Sequence, residues 1–332
     1  MLSRAIVLKT ASWPPIERLV RKSFLFRKLV KRFVAGETLE EAIAACEVLA
    51  ERGFFVSLDY LGENVKTESE AAAAKDMYIR MFERMAKSRC FKSPFAPADG
   101  YEVCREPFPF CGRELPVESA NVSIKLTQCG LAFDDALAER HYRDVARVSS
   151  EYGSFLRIDM EDSPYTERTI RMVERVREDF ERTGTVLQAY LHRTPEDVEQ
   201  MIRLGARVRL VKGAYLEPPT VAIQKMREIN EAYVRLGERL LDSGHYPAIA
   251  THNERLLDRL IGYAEQKGIP KDKFEVQMIY GVRRDLQVKL LERGYFVRVY
   301  VPFGESWYPY FARRIAERPA NALFILRSLF KG

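Results

Sequence analysis

Eight short runs of apolar and β-branched residues recur along the chain, and longer segments with apolar residues at helical spacing separate most of them. The runs predict strands at 54–61, 121–126, 155–160, 185–190, 207–212, 247–253, 274–281 and 296–302. The longer segments predict helices, among them 170–180, 195–204, 223–241 and 254–266. This alternation implies parallel strands joined by right-handed crossovers, and eight such units can close on themselves. We therefore expect an α/β chain with a TIM-like (βα)8 barrel over residues 51–332 and an N-terminal helical extension over residues 1–50.

The length and charge of the chain agree with a single large barrel. Of its 332 residues, 47% are apolar, so the chain can bury a core of the size that a closed barrel needs. The net charge of +6 is modest, and 47 acidic residues are interspersed among the 53 basic ones. Nothing in this balance demands a nucleic-acid partner.

Cysteine and histidine usage bears on metals and on the cellular compartment. Five cysteines without a CxxC pair argue against a disulfide framework and against a zinc ribbon. The four histidines include no HExxH or other close pair, so we expect no protein-bound metal. No uninterrupted apolar run approaches the length of a membrane span, and the simplest location is a reducing cytoplasm.

Polar residues stand at or near the carboxyl ends of the predicted strands: Asp59, Lys125, Asp159, Gln188, Lys212, Thr251 with His252, Gln277 and Tyr300. In a barrel these ends surround one mouth, where barrel enzymes place their active sites. One such residue alone is typical of a satisfied strand terminus. Eight polar ends together predict a site, although they do not specify its reaction.

The last predicted strand leads into a helix with two adjacent arginines. Residues three, four and seven positions apart share a helix face, so Tyr310, Arg313, Arg314 and Glu317 form a polar column beside an apolar one. A pair of arginines can fix both the position and the rotation of a small carboxylate. An ordinary amphipathic helix with a solvated basic face gives the same pattern.

Several segments resemble the proline dehydrogenase family in its short monofunctional bacterial form. The resemblance is carried, in order, by Val122-Ser123-Ile124-Lys125-Leu126, Arg157-Ile158-Asp159-Met160-Glu161, Val186-Leu187-Gln188-Ala189-Tyr190, Arg209-Leu210-Val211-Lys212-Gly213-Ala214-Tyr215, Ala250-Thr251-His252-Asn253 and the C-terminal set Tyr300, Tyr310, Arg313, Arg314 and Glu317. It implies a distorted (βα)8 barrel that carries FAD and oxidises L-proline to Δ1-pyrroline-5-carboxylate. It also implies that the electrons pass to a membrane quinone.

The resemblance assigns the substrate to residues from three parts of the chain. Lys125, Arg313 and Arg314 are expected to hold the proline carboxylate, with Asp159 paired to an arginine of the site. Glu317 would orient the guanidinium pair from behind, one turn along the helix. The ring of the substrate would be walled by Tyr300 and Tyr310.

The resemblance likewise assigns the cofactor. Arg209 is expected to point at the flavin N5 and to act in catalysis together with Asp159. Gln188 and Lys212 would hydrogen-bond the isoalloxazine system or the phosphates. The rest of the cofactor would be lined by Met160, Gly213, Ala214, Thr251 and His252. No GxGxxG fingerprint follows a predicted strand, which argues against a Rossmann-type nucleotide domain and against NAD.

The segment 16–34 combines apolar residues at helical spacing with seven lysines and arginines and a single acidic residue, Glu17. A basic amphipathic helix of this kind can lie on an anionic bilayer, which suits an enzyme that reduces membrane quinone. We therefore expect peripheral association with the inner face of the cell membrane. Packing of the apolar face against the barrel or another subunit, and a cleaved mitochondrial presequence, remain alternatives.

Two other functions are compatible with the pattern of strand ends. A Schiff-base aldolase would use Lys212 or Lys125 as a covalent amine. A binding or regulatory barrel would hold proline without turnover. Purification separates the three, since only a flavoprotein is yellow and bleaches anaerobically with L-proline.

Overall fold

The computed structural model describes residues 30–62, 65–89, 91–95 and 114–316, with side chains up to residue 312. Within these ranges the predicted barrel is confirmed: eight parallel strands close into one ring in chain order, and the last pairs with the first. The strands are β1 (Phe55–Tyr60), β2 (Ala120–Ile124), β3 (Leu156–Ile158), β4 (Thr183–Gln188), β5 (Val208–Val211), β6 (Ala248–Ala250), β7 (Glu275–Ile279) and β8 (Val297–Phe303).

The described helices lie between and around these strands. They are α1 (Leu39–Glu51), α2 (Glu68–Ala86), α3 (Asp135–Glu151), α4 (Ser163–Arg177), α5 (Thr194–Arg203), α6 (Met226–Ser243), α7 (Glu254–Gln266), α8 (Arg284–Glu292) and α9 (Trp307–Ala316). A short π-helix spans Thr127–Leu131, and a 3-10 turn spans Lys271–Lys273. In the described part of the chain, no helix is both long and apolar enough to span a bilayer.

The first two of these helices begin at capping boxes. Thr38 accepts from the Glu41 backbone N–H while the Glu41 carboxylate accepts from Thr38, and Thr67 and Glu70 repeat the arrangement. Reciprocal capping satisfies backbone donors that a helix start leaves without partners. The apolar side of α1, including Ile43 and Cys46, belongs to the main core and covers the barrel.

The two faces of the barrel wall differ in chemistry. Outward positions such as Val56, Val122 and Leu210 are apolar and join the core beneath the helices. The inward positions are polar: Arg209 on β5 reaches Ser57 on β1 and Ser123 on β2 across the barrel. Charged residues therefore fill the inside of the barrel, and their neighbours must satisfy them.

The segment 30–37 lies beside the carboxyl end of β8 and packs against α9. Ala35 N donates to Pro302 O at 2.9 Å, and Gly304 N donates to Gly36 O at 3.0 Å. Val30 and Val34 are buried in an apolar cluster with the aromatic residues of α9. In the described end of the predicted basic helix, Val30 and Val34 thus pack in the cluster with α9, while Lys31 and Arg32 are exposed. Residues 16–29 of that helix lie outside the described residues.

Candidate active site

Lys125 lies between two carboxylates at the carboxyl ends of neighbouring strands. Its Nζ is 2.6 Å from Asp59 Oδ1 and 3.7 Å from Asp159 Oδ2. Lys125 directly follows β2, Asp159 directly follows β3, and Asp59 is near the end of β1. Parallel strand ends thus bring three charges together that are distant in sequence. The predicted proximity of Lys125 and Asp159 is present in the structure.

Arg209 joins this cluster from the opposite side of the barrel. Its Nη1 donates to Asp159 Oδ1 at 2.8 Å, and its Nη2 donates to Ser123 Oγ at 2.9 Å. Its Nε donates to Gln277 Oε1. Arg209 is only 5% exposed, and hydrogen bonds from all three nitrogens of its guanidinium group fix its position. Among the described arginines, Arg209 is the one that pairs with Asp159, and the side chains of Arg313 and Arg314 lie outside the described residues.

Tyr300 closes the cluster from β8. Its hydroxyl donates to Asp159 Oδ2 at 2.6 Å, and the Arg209 guanidinium lies 5.1 Å from the centre of its ring. Burial and the Asp159 carboxylate hold the pKa of Tyr300 well above its usual range. Tyr300 consequently remains a protonated donor, and both oxygens of Asp159 have partners.

Asp59 has a different environment from Asp159. Burial raises its pKa to about 6 against the attraction of Lys125, and the nearby Asp159 carboxylate adds to the rise. Among the described residues, its Oδ2 atom is buried without a hydrogen-bond partner. When Asp59 is ionised, two carboxylates balance Lys125 and Arg209. When it is protonated, the cluster carries one positive charge in excess.

A second group of predicted residues lies around the ends of β4 and β5. Gln188, the last residue of β4, donates through Nε2 to Glu161 O at 2.9 Å, and its Oε1 accepts from Ala214 N at 3.2 Å. Lys212 follows β5 and is half-buried, and it forms no ion pair with any described carboxylate. Burial lowers the pKa of Lys212.

Gly213 makes the turn after β5 possible. Its φ is +130°, and a Cβ at this position would lie 2.2 Å from Cδ1 of the Tyr190 ring. An L side chain fits neither this backbone conformation nor this space. The glycine therefore lets the loop that carries Lys212 and Ala214 fold against β4.

The remaining predicted cofactor residues border the same mouth. Met160 is 6% exposed and follows Asp159 in the chain. Thr251 Oγ1 accepts from Asn253 N at 3.2 Å. His252 Nε2 accepts from Ile279 N at 2.9 Å, which ties the end of β6 to the end of β7. This contact is the structural role that a lone histidine at a strand end commonly has.

The predicted carboxylate-binding helix is present as α9, directly after β8. Tyr310 is buried in the apolar cluster with Trp307, Tyr308 and Phe311, although the helical pattern assigned it to the polar column. The side chains of Arg313 and Arg314, and Glu317 as a whole, lie outside the described residues. Their predicted roles remain predictions.

The residues at the mouth suit an anionic dinucleotide. A flavin dinucleotide combines a flat ring with polar edges and a negatively charged diphosphate, so it needs cations at its binding site. Lys212 provides a half-buried ammonium without a described carboxylate partner. Arg209 provides a second cation beneath the mouth. Within the described ranges, no group of three or more His, Cys, Asp or Glu is arranged to hold a metal ion.

Sequence reasoning did not assign roles to Ser57, Asp59, Ser123 or Gln277, which complete the buried cluster. Asp59 and Gln277 were noticed only as polar strand residues. The missing signal was the alternation of period two, which puts Ser57 and Asp59 on the face that carries Ser123 on β2 and Lys125 directly after it. Gln277 lies in the middle of β7, one layer below the mouth.

Comparison with known proteins gives one consistent result. A family model described as proline dehydrogenase matches residues 42–327. The proline dehydrogenase of Deinococcus radiodurans is 38% identical over 336 aligned residues, covering 100% of this chain and 99% of that protein. Proline dehydrogenase 1 of Bacillus subtilis (strain 168) is 35% identical, and the alignment covers 93% of each chain.

Solved structures share the fold. Proline utilization A from Bdellovibrio bacteriovorus, inactivated by N-propargylglycine, superposes with a TM-score of 0.75 at 24% identity over 94% of this chain. A mutant of the Bradyrhizobium japonicum protein, D779W, gives a TM-score of 0.67 at 20% identity over 87% of this chain. The chain spans 36% and 30% of the length of these two structures. By its family match and its full-length relatives, the chain is an enzyme that belongs to the proline dehydrogenase family.

Proposed function

We propose that this enzyme uses FAD to oxidise L-proline to Δ1-pyrroline-5-carboxylate and passes the electrons to a membrane quinone, as the first step of proline breakdown toward glutamate. The observation that supports this best is the buried cluster at the barrel mouth, where Lys125, Asp159, Arg209 and Tyr300 contact one another. The cluster combines fixed cations with fixed acceptors in a site largely closed to water. Such a site suits a small zwitterion beside a redox ring.

The substrate carboxylate would be held by Arg313, Arg314 and Lys125. Asp59 and Asp159 already surround Lys125, so they offset the repulsion that three neighbouring cations would otherwise cause. Tyr300 and Tyr310 would enclose the ring, and Glu317 would orient the two arginines from behind. Held at one end in this way, proline would present a fixed ring carbon to the cofactor.

The cofactor would lie across the mouth, over Arg209 and beside the β4 and β5 ends. Lys212 would meet the phosphates or the ring edge, since its half-buried ammonium lacks a described carboxylate partner. Gln188 would use its second amide N–H toward the isoalloxazine system, while Met160, Gly213, Ala214, Thr251 and His252 would line the remaining surface. When bound, FAD supplies a ring that accepts a hydride at N5.

The roles of the protein groups in the reaction are to bind, orient and stabilise charge. Proline must react with its amine deprotonated, because the nitrogen lone pair stabilises the cation left when hydride departs. Arg209 would stabilise negative charge on the reduced ring, and Asp159 holds Arg209 at 2.8 Å. Much of the rate would come from positioning, which converts an encounter of two molecules into a reaction within one complex.

The aldolase alternative fits the structure less well. Lys125 lies 2.6 Å from Asp59, and a lysine held as an ammonium between carboxylates is a poor nucleophile. Lys212 is better suited, since burial lowers its pKa. Membership of the proline dehydrogenase family supports the oxidation of proline instead.

We further propose that the basic segment before α1 contacts the inner face of the cell membrane. Lys31 and Arg32 are exposed beside the buried Val30 and Val34, so a basic face is available where the segment meets the barrel. The test replaces Lys28, Lys31 and Arg32 with glutamate and measures sedimentation with anionic vesicles. Loss of binding supports the proposal, and unchanged binding contradicts it.

The proposed reaction is tested by adding proline to the purified protein without oxygen. The protein should be yellow, L-proline should bleach its visible flavin absorbance, and D-proline should act far more slowly. A soluble quinone should then restore the colour. A colourless protein that remains inert when supplied with FAD would contradict the proposal.

A further inference from the structure

A line of buried contacts runs from the floor of the barrel to its mouth. Arg298 donates to Glu275 Oε1 at 2.8 Å and to Glu275 Oε2 at 3.0 Å. Gln277 Nε2 donates to Glu275 Oε1, and Gln277 Oε1 accepts from Arg209 Nε. Gln277 is 3% exposed and has no part in the reaction proposed above. A buried amide in this position needs a physical reason.

The two neighbours of Gln277 fix the direction of its amide. The Glu275 carboxylate accepts hydrogen bonds and must face the NH2 group, whereas the Arg209 guanidinium only donates and must face the oxygen. If the amide were flipped, its oxygen would face the Glu275 carboxylate and its NH2 group would face the Arg209 guanidinium, and neither hydrogen bond could form. The side chain is therefore locked in one orientation between an anion and a cation.

The anchor beneath Gln277 is itself rigid. Besides Glu275, Arg298 donates to Val56 O at 3.0 Å and to Glu118 O at 2.9 Å. Arg298 is 1% exposed and Glu275 is 2% exposed. A fully buried, fully hydrogen-bonded pair keeps its geometry, because moving either charge would leave the other without a partner.

Gln277 fixes the position of Arg209 through a neutral group, so it adds no charge beside the guanidinium. A carboxylate in direct contact with Nε would fix Arg209 equally well, but it would cancel the guanidinium charge. The neutral amide fixes the same nitrogen and leaves the charge to Asp159 and to whatever binds above. Asp159 occupies Nη1 alone, at 2.8 Å.

We propose that Gln277 is a positioning residue that holds the Arg209 guanidinium at the angle needed beneath the flavin while leaving its positive charge available to the reduced ring. This inference rests on the proposed function, since it concerns how Arg209 meets the flavin. It adds a residue that touches neither substrate nor cofactor. It also explains why the amide lies one layer below the mouth.

The first test replaces Gln277→Met in the FAD-loaded full chain, because methionine has a similar length and no hydrogen-bonding amide. The main readout is the affinity for sulfite, which binds reversibly to protein-bound flavin and is favoured by a nearby cation. Loss of one bond to a charged group should weaken sulfite binding by roughly tenfold or more. The kcat for proline should fall by a similar factor, with FAD content and the KM for proline little changed.

The matched control is Asn121→Leu. Asn121 is equally buried, and its Nδ2 donates to Glu118 Oε1 at 3.0 Å in the same interior network, without contact to Arg209. Both substitutions remove an amide and should lower the melting temperature. Only the change at Gln277 should alter sulfite affinity, and equal loss in both variants would overturn the proposal.

A second variant gives a test that does not depend on the fold tolerating methionine. In Gln277→Glu, the new carboxyl would face Glu275, Arg298, Arg209 and Arg157; burial and Glu275 would raise its pKa, whereas the arginines would lower it. While protonated, it can donate to Glu275 and accept from Arg209 as glutamine does. Sulfite affinity relative to the wild type should therefore be near normal at low pH and should fall as pH rises. A ratio that does not change with pH would overturn the proposal.

The outcomes separate this inference from the proposed function. A wild type that binds no FAD, or whose FAD is not reduced by proline, refutes the proposed function. A wild type that is reduced by proline, with variants at Gln277 that match it in sulfite affinity and kcat, refutes the positioning role alone.

Discussion

The indole Nε1 of Trp307 donates to Glu37 Oε1 at 3.0 Å. This bond joins the segment before α1 to the first residue of α9, the helix that carries Arg313 and Arg314. Phe33 adds to it, with its ring centre 6.4 Å from that of Phe311. The segment 30–37 therefore sets where α9 begins, and through α9 it affects the proposed carboxylate site.

Replacing Trp307→Phe should raise the KM for proline several-fold. The substitution keeps an aromatic ring in the apolar cluster and removes the N–H donor, so α9 loses a polar anchor of about 1 kcal/mol. The kcat and the FAD content should change little, because the proposed flavin site is formed by other residues. Steady-state kinetics with proline measures both quantities.

The matched control for Trp307 is Glu37→Gln, which keeps an oxygen that accepts from the indole and should retain a KM near that of the wild type. Glu37→Leu should reproduce the defect, and combining it with Trp307→Phe should add little further loss. If Trp307→Phe left the KM for proline unchanged, the segment 30–37 would have no effect on substrate binding.

Removal of one proposed carboxylate ligand should affect proline and spare the flavin. Arg313→Met should raise the KM for proline about 100-fold, since a charge-assisted bond to the substrate is lost. Arg227→Met is the control, because that side chain is 85% exposed on α6. Proline titration of the bound flavin should give a weakened affinity in the first variant alone, and normal affinity there would remove Arg313 from the site.

Gly213→Ala should disrupt the loop after β5, which is proposed to bind the cofactor. The added Cβ would lie 2.2 Å from the Tyr190 ring on a backbone with φ of +130°, which should cost about 2 kcal/mol or more. Gly262→Ala is the control, because a Cβ there meets nothing within 4 Å. Melting temperature and FAD content should fall only in the Gly213 variant. Retention of both would mean that the loop has another conformation in solution.

The raised pKa of Asp59 predicts that the free energy of unfolding depends on pH. Burial raises its pKa to about 6, above the usual value near ~3.9 in an unfolded chain, so the folded state binds more protons between these values. The stability that protonated Asp59 contributes is present below about pH 4 and is lost as pH rises through about 6. Relative to Asp59→Asn, the wild type should lose about 2–3 kcal/mol across this interval.

Urea unfolding of the wild type and of Asp59→Asn at several pH values measures this difference. A difference that stays constant with pH would mean that Asp59 titrates normally in the folded protein. A difference that grows with rising pH would give the opposite sign and contradict the burial argument.

The barrel could be predicted from sequence because its signals are local. Each strand is a short apolar run between helical segments, and all eight predicted runs overlap an observed strand. The predicted strand ends were less accurate, since Lys125, Asp159 and Lys212 were placed within strands and lie just beyond them. The resemblance to proline dehydrogenases supplied the chemistry, and the family match confirms that family.

The interior network could not be predicted because it depends on closure of the barrel. Arg209 and Gln277 are 68 residues apart, and Arg298 and Glu118 are 180 apart. No local pattern indicates which inward residues will meet across the lumen. Burial of Tyr310 had a similar cause, since it shares an apolar cluster with Val30 and Val34, which are distant from it in the sequence.

The most direct measurement for the proposed site is a crystal structure of the enzyme with FAD and a proline analogue that carries oxygen in place of the ring nitrogen. The account predicts that the analogue's carboxylate contacts both Arg313 and Arg314, with its ring between Tyr300 and a flavin that lies over Arg209. An analogue held by other groups, or a flavin bound away from the carboxyl ends of the strands, would contradict it.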